Sequence, residues 1–177
     1  MHREVWSSAG SVGYKGRTVV DLVGNCDRIV TAVESASAAG AQLVLFPELA
    51  ICGYPPLDLV TREDFVAAVE RATDTVAKRL KGQPPVVVGT LRRSDEGAAR
   101  PVHNSTAIIE NGAVVAHSDK VLLPTYDVFD ESRTFEPGGA VQVHSIAGHA
   151  VGIAICEDLW TGDVPGQISY RRDPGQE

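Results

Sequence analysis

Apolar residues recur at two different periods along this chain, and the switches between them lay out the elements. Before about residue 24 neither period is present, and "SSAGSVGYKGRT" reads as loop. From Asn25 a helical pattern begins, with Asn25 as a candidate N-cap and Asp27 at the positive end of the dipole. Ile29 and Val33 share a face and Gly40 supplies the stop. "QLVLF" follows as a short apolar strand that delivers the chain to Pro47 and Glu48. A Pro/Gly-rich loop leads to "TREDFVAAVERATDTVAKRLKG", where Thr61 and Asp64 form a capping-box-like pair. Phe65, Val69, Ala72, Val76 and Leu80 make one stripe there, and Gly82 ends it.

The second half of the chain is strand-rich. "VVVGTL" reads as a strand, and Asn111-Gly112 between the alternating runs of "STAIIENGAVVAHSDK" predicts a hairpin with a type I′ turn. "YDVFDESRTFEPGGA" is a polar, aromatic-studded loop, and "VQVHSI" is a further strand. In "AVGIAICEDLW" the run from Val151 to Ile155 lacks polar alternation and reads as a fully buried strand, which makes Cys156 the first residue to leave the sheet. Two strands and two helices alternate before a run of strands, so the fold class is α/β, a mixed sheet with helices packed on it. No internal repeat is visible.

Composition narrows the functions available. The 177 residues suffice for one domain with a proper core. Hydrophobic residues make up 44% and charged ones 22%, which argues against wholesale disorder. A net charge of −7 without a dense Lys/Arg cluster makes nucleic acid or an anionic membrane surface a poor partner. No apolar run is long enough to span a bilayer and the first residues lack a signal-peptide core, so the expected compartment is the cytoplasm. Cys26, Cys52 and Cys156 form no CxxC pair, and the five histidines show no metal-binding spacing; no metal is expected. "GSVGYKGRT" departs from a phosphate loop in length, in having Arg17 where the lysine belongs and in lacking a preceding strand.

Three residues that follow apolar runs could carry chemistry together. In open α/β sheets, residues at the carboxyl ends of strands face the ligand crevice. Cys156 stands at such an end, where a following helical turn would lower its pKa. Glu48 and Lys120 close "QLVLFPE" and "AVVAHSDK" in the same manner. A carboxylate can take the thiol proton and hand it to a leaving amine, while an ammonium stabilises the oxyanion formed when the thiolate attacks a carbonyl. Taken singly, a strand-end cysteine is more often a small hydrophobe, and a strand-end charge is more often solvated surface. The conjunction points to acyl transfer. Cys26 and Cys52 read as structural.

These residues lie in familiar company. "FPELAICGYPPLDLVTREDF", "HSDKVLLPTYDVFDESRTFEPG" and "AICEDLW" resemble the carbon-nitrogen hydrolase (nitrilase) superfamily, and closely resemble the glutamine-hydrolysing domain of glutamine-dependent NAD synthetases. The resemblance runs from about Val23 to Trp160 and implies a nitrilase-like α-β-β-α sandwich. It implies Glu48 as general base, Lys120 as catalytic lysine, Cys156 as nucleophile, Glu131 as a second active-site glutamate and Tyr126 as a substrate-binding tyrosine. Cys156 would form a glutamyl thioester, with the backbone amide of Glu157 and the Lys120 ammonium as oxyanion donors. The implied activity is release of ammonia from glutamine, which needs no cofactor in this domain. ATP and deamido-NAD would belong to a separate synthetase domain, of which these 177 residues carry no "SGGxDS"-type loop. Members of the family homo-oligomerise. Alternatives are another amidase or nitrilase of the superfamily, and a non-catalytic remnant.

Both ends depart from the family pattern. Where the family has a first apolar strand, residues 1–22 hold "SSAGSVGYKG", and after Trp160 the chain continues as "TGDVPGQISYRRDPGQE". The expectation is therefore a partial hydrolase domain over 23–160 between a divergent N-terminus, 1–22, and a divergent tail, 161–177, incomplete at both ends. Such a form is expected to show little turnover by itself.

Overall fold

The computed structural model describes residues 19–160 and 173–174. The readings made for 1–22 and 161–177 therefore fall almost wholly outside the described residues. Helix α1 spans Leu22–Ala38 and buries Asn25, Cys26, Ile29, Val30 and Val33 along one stripe. Its N-cap is Asp21, whose carboxylate accepts from the Gly24 backbone N–H at 2.9 Å. Asn25 is not the cap. It lies one turn inside the helix, fully buried, and its side-chain Nδ2 donates to the Ile51 carbonyl at 3.0 Å.

Strand β1 is only Val44–Leu45, the edge of its sheet among the described residues, with Leu45 66% exposed, so "QLVLF" is less buried than its composition suggests. A 3-10 turn over Leu57–Thr61 leads into helix α2, Glu63–Arg79. No capping box forms there: Arg62 occupies the N-cap, and Thr61 spends its hydroxyl on the Asp58 carbonyl inside the 3-10 turn. Phe65, Val66, Val69, Thr73, Val76 and Ala77 are the buried face of α2, which packs on α1 and on the sheet.

Strands β2 (Val86–Arg93), β3 (Val102–Glu110) and β4 (Ala113–Asp119) complete a sheet of order β1-β2-β3-β4, with β1 parallel to β2 and the rest antiparallel. The β3–β4 connection is the Asn111-Gly112 pair, both at positive φ (47° and 85°), as a type I′ turn requires. β3 is buried at every position but its last, because helices cover one face and a second sheet covers the other. That second sheet is the antiparallel pair β5 (Gln142–Ile146) and β6 (His149–Ile153). Ile146 packs on Val87 and Ile108, giving an α-β-β layering among the described residues.

β6 is not the fully buried strand that Val151–Ile155 suggested. His149, Ala150 and Gly152 are exposed, and only Ile155, beyond the strand, is buried. A continuous apolar run shows that both faces could be covered, whereas the partner elements decide whether they are.

Candidate active site

Glu48 lies in the turn that follows β1, and that turn sits directly on β2. Phe46 N–H donates to Val87 O at 2.8 Å and Ile51 N–H to Gly89 O at 3.1 Å, so the chain stays bound to β2 on both sides of Glu48. A Cβ at Gly89 would stand 2.3 Å from Leu49 N and 2.4 Å from Pro47 O, which only glycine avoids. Lys120 follows β4 at once. Its N–H donates to Asn104 O at 2.8 Å and its carbonyl accepts from Gly138 N at 2.7 Å, which aims the side chain inward, 1% exposed.

The Lys120 ammonium bridges two carboxylates, Nζ donating to Glu48 Oε1 at 2.7 Å and to Glu131 Oε2 at 2.8 Å. Glu131 is itself buried. It enters on a 3-10 turn, Glu131–Arg133, whose loop is pinned to β3 by Glu136 N–H on Val102 O (2.8 Å) and by His103 Nδ1 against Glu136 O (2.7 Å). Its other oxygen, Oε1, accepts from the Tyr54 hydroxyl at 2.9 Å. Glu48 Oε1 also accepts from Asn104 Nδ2 at 2.6 Å. Burial alone would lower the Lys120 pKa, but the two carboxylates outweigh it and hold the ammonium above its ordinary value. Burial raises Glu131, with Lys120 opposing. Glu48 and Lys120 thus meet as the sequence reading expected, in a cluster whose lysine and Glu131 are buried rather than solvated surface charges.

Cys156 opens a 3-10 turn, Cys156–Leu159, just after β6, and has a left-handed φ of 48°. It is exposed, whereas Cys26 and Cys52 are buried. Glu48, Lys120, Glu131 and Glu157 all lie close enough for their charges to act on its thiol. The expected lowering of its pKa does not occur. Partial burial pushes the thiol up first, Glu48 adds to this, and Lys120 only partly offsets them. A four-residue 3-10 turn offers less dipole than the expected helix, and carboxylates outnumber the cation. By contrast, burial pushes Cys52 up to about 12, an inert thiol.

Also within electrostatic reach of the thiol, the Tyr126 hydroxyl donates to both Glu157 oxygens, at 2.9 and 3.0 Å. Phe129 stands between two tyrosines, 5.8 Å from Tyr126 edge-on and 6.5 Å from Tyr54. Thus Glu48, Lys120 and Glu131 meet in direct contact, Tyr126 and Glu157 form a second pair, and Cys156 feels both sets. Three partners escaped the sequence reading: Asn104, Tyr54 and Asp158. Asn104 left a trace, since His103-Asn104-Ser105-Thr106 is a polar run inside an otherwise apolar strand. Among the described residues no group of three or more His, Cys, Asp or Glu is arranged to hold a metal ion, and no helix is long and apolar enough to cross a membrane.

Residues 8–169 match the carbon-nitrogen hydrolase family model. The chain is 37% identical over 161 residues to a glutamine-dependent NAD(+) synthetase of Synechocystis sp., covering 89% of this chain and 29% of that protein. A synthetase of the same description from Xanthomonas campestris is 40% identical over 139 residues, 77% of this chain and 24% of that one. This chain thus spans under a third of the length of these relatives. Among solved structures, the glutamine-dependent NAD+ synthetase of Acinetobacter baumannii, in complex with ADP, superposes with a TM-score of 0.69 at 30% identity, over 81% of this chain and 26% of that one. A point mutant of the amidase from Nesterenkonia sp. AN1, showing the result of Michael addition of acrylamide at the active site cysteine, superposes at 0.62 and 28% identity, over 80% and 54%. With the layered fold in common with such enzymes and a match over nearly its whole length, the chain belongs to the carbon-nitrogen hydrolase family.

Proposed function

We propose that this chain is the glutamine amidohydrolase part of a cytoplasmic glutamine-dependent NAD synthetase, with Cys156 as nucleophile, Glu48 as general base and Lys120 as oxyanion donor. The observation that carries the reading is the buried Lys120 ammonium, clamped between Glu48 and Glu131 and acting on the Cys156 thiol. Because the thiol pKa is raised, the resting sulfur is protonated and needs a base at the moment of attack. Glu48 takes the Sγ proton as sulfur bonds to the amide carbon, and the carbonyl π pair moves to oxygen. An ammonium has three N–H donors. Two bind the carboxylates and the third, with the Glu157 backbone N–H, meets the oxyanion. Collapse of the intermediate breaks the C–N bond, Glu48 returns the proton to nitrogen, and ammonia leaves a thioester. Water, giving a proton to Glu48, then cleaves the thioester to glutamate and restores the thiol.

Glu131 keeps the ammonium charged and aimed while Glu48 changes protonation, so the lysine never faces the oxyanion uncompensated. Tyr126 and the Glu157 carboxylate form the polar wall suited to the α-ammonium of glutamine, a cation that a simple aliphatic amide lacks. The ammonia would pass to a synthetase domain that uses ATP and deamido-NAD. The test is mass mapping after exposure to a diazoketone analogue of glutamine, in which sulfur displaces dinitrogen to form a thioether. Expected is saturable labelling of Cys156 alone, prevented by glutamine and not by propionamide. Equal labelling of Cys26 or Cys52, or protection by propionamide instead, overturns the reading.

A further inference from the structure

We infer that Asp158 is a positioning residue that locks the nucleophile's turn to the segment carrying Lys120. Its carboxylate is 1% exposed and accepts three backbone N–H bonds from two separate parts of the chain. Oδ1 takes Val121 N–H at 3.0 Å and Leu122 N–H at 2.8 Å, the two amides immediately after Lys120. Oδ2 takes Ile155 N–H at 3.0 Å, the amide immediately before Cys156. The Asp158 backbone N–H returns a bond to Ile155 O at 3.1 Å, closing a ring around Cys156 and Glu157.

The ring has work to do. Cys156 holds a left-handed φ, a conformation that a non-glycine residue keeps only when its surroundings impose it. The four-residue turn buries its polar Glu157 and Asp158, while the apolar Leu159 and Trp160 at its far end are exposed. Asp158 joins the backbone on both sides of the site, so the approach of Sγ to Nζ and the pitch of the turn both depend on its side chain. Buried charge-assisted bonds of this kind are strong, and losing one acceptor leaves a buried N–H without a partner.

The inference rests on the proposed role of Cys156 and deepens it, so the experiment separates the two. In the wild-type chain, the amide resonances of Val121, Leu122 and Ile155 should shift along one common titration as a single carboxylate protonates. Asp158→Asn offers one acceptor and one NH2 in place of two acceptors. It should slow saturated labelling of Cys156 by the glutamine diazoketone about tenfold or more, by misplacement of reacting groups, while the half-saturating concentration stays within about twofold. Alkylation by iodoacetamide, which needs no alignment with Lys120, should change by less than about threefold. Labelling in the variant at the wild-type rate, or three amides that titrate independently, overturns the role of Asp158 alone. Absence of selective Cys156 labelling in the wild type overturns the hydrolase reading instead. If the variant fails to fold, the wild-type amide titration decides.

Discussion

Glu48, Lys120 and Glu131 are held against a four-stranded sheet whose central strands are buried almost throughout and covered by two seventeen-residue helices. Cys156 instead follows a two-stranded sheet in which Ile146 is the one fully buried strand residue. The polar half of the site is thus built into a core, and the Cys156 half is tied on by a few bonds. This division suits the chemistry. In the proposed acyl transfer, the base and the cation keep fixed positions through both halves, while the nucleophile accepts and releases an acyl group. It also predicts that substitutions which remove buried contacts in the first region act on the whole fold, whereas those in the second act locally.

The strongest way to break the first region is Lys120→Met. It leaves Glu48 and Glu131 facing each other in the interior without their cation, and removing one partner of a buried ion pair typically costs about 3–5 kcal/mol. Denaturant unfolding should register a loss of that order. If the loss is below about 1 kcal/mol, the ammonium does not hold the carboxylates as described. The same variant removes a cation that lowers the Cys156 pKa, so the midpoint of thiol alkylation against pH should rise further.

Glu48→Gln should spare the fold, since the glutamine oxygen can still accept from Asn104 and Lys120, yet it removes the proposed base. Thioester formation with glutamine should slow by about a hundredfold or more. The sign for the thiol is opposite to that of the lysine variant. Wild-type Cys156 should titrate above the usual thiol value of about 8.5, and loss of the Glu48 charge should lower the midpoint. A rate near wild type, or an upward shift, would exclude Glu48 as the base facing the sulfur.

A pair of glycines sharpens the contrast. In the first region, Gly89→Ala drives a methyl into Leu49 N and Pro47 O, backbone atoms that cannot swing aside, and should cost about 1–3 kcal/mol while displacing Glu48. In the second, Gly152→Ala meets nothing within 4 Å, and its stability should stay within about 0.5 kcal/mol of wild type. Melting curves of the two variants test the difference directly. Equal losses would mean that β6 is as tightly enclosed as β2.

The two regions also differ in how far they could be read from the chain. Helix α2, the Asn111-Gly112 hairpin and the convergence of Glu48 with Lys120 followed from local pattern, because periodicity and turn chemistry act within a few residues. Asn25 misled because capping preference and tertiary hydrogen bonding use the same side-chain groups, and the partner, Ile51 O, lies 26 residues away. The thiol pKa had its sign reversed for a related reason: its direction is set first by burial and then by Glu48, 108 positions earlier, rather than by the turn that follows. The roles of Asn104 and Asp158 are likewise set by distant backbone and carboxylate partners, which no local rule supplies.

The smallest effect compares one hydroxyl bond in each region. Ser118 Oγ meets His144 Nε2 at 2.8 Å and joins β4 to β5, a direct side-chain tie between the two sheets. Thr73 Oγ1 meets Thr90 Oγ1 at 2.7 Å and joins α2 to β2 inside the core. Each bond is worth about 1 kcal/mol, so Ser118→Ala and Thr73→Val should lower stability by similar, modest amounts. Their distribution should differ. Thr73→Val weakens a contact that is lost only when the core opens, so amide exchange should accelerate by the same factor throughout β2 and β3. Ser118→Ala should accelerate exchange in β5 and β6 and leave α1, α2 and β2 unchanged, because the second sheet can part from the first without unfolding it. Uniform acceleration in the Ser118 variant would show that the two sheets open as one unit, and the division of the site into a core half and a tethered half would then fail.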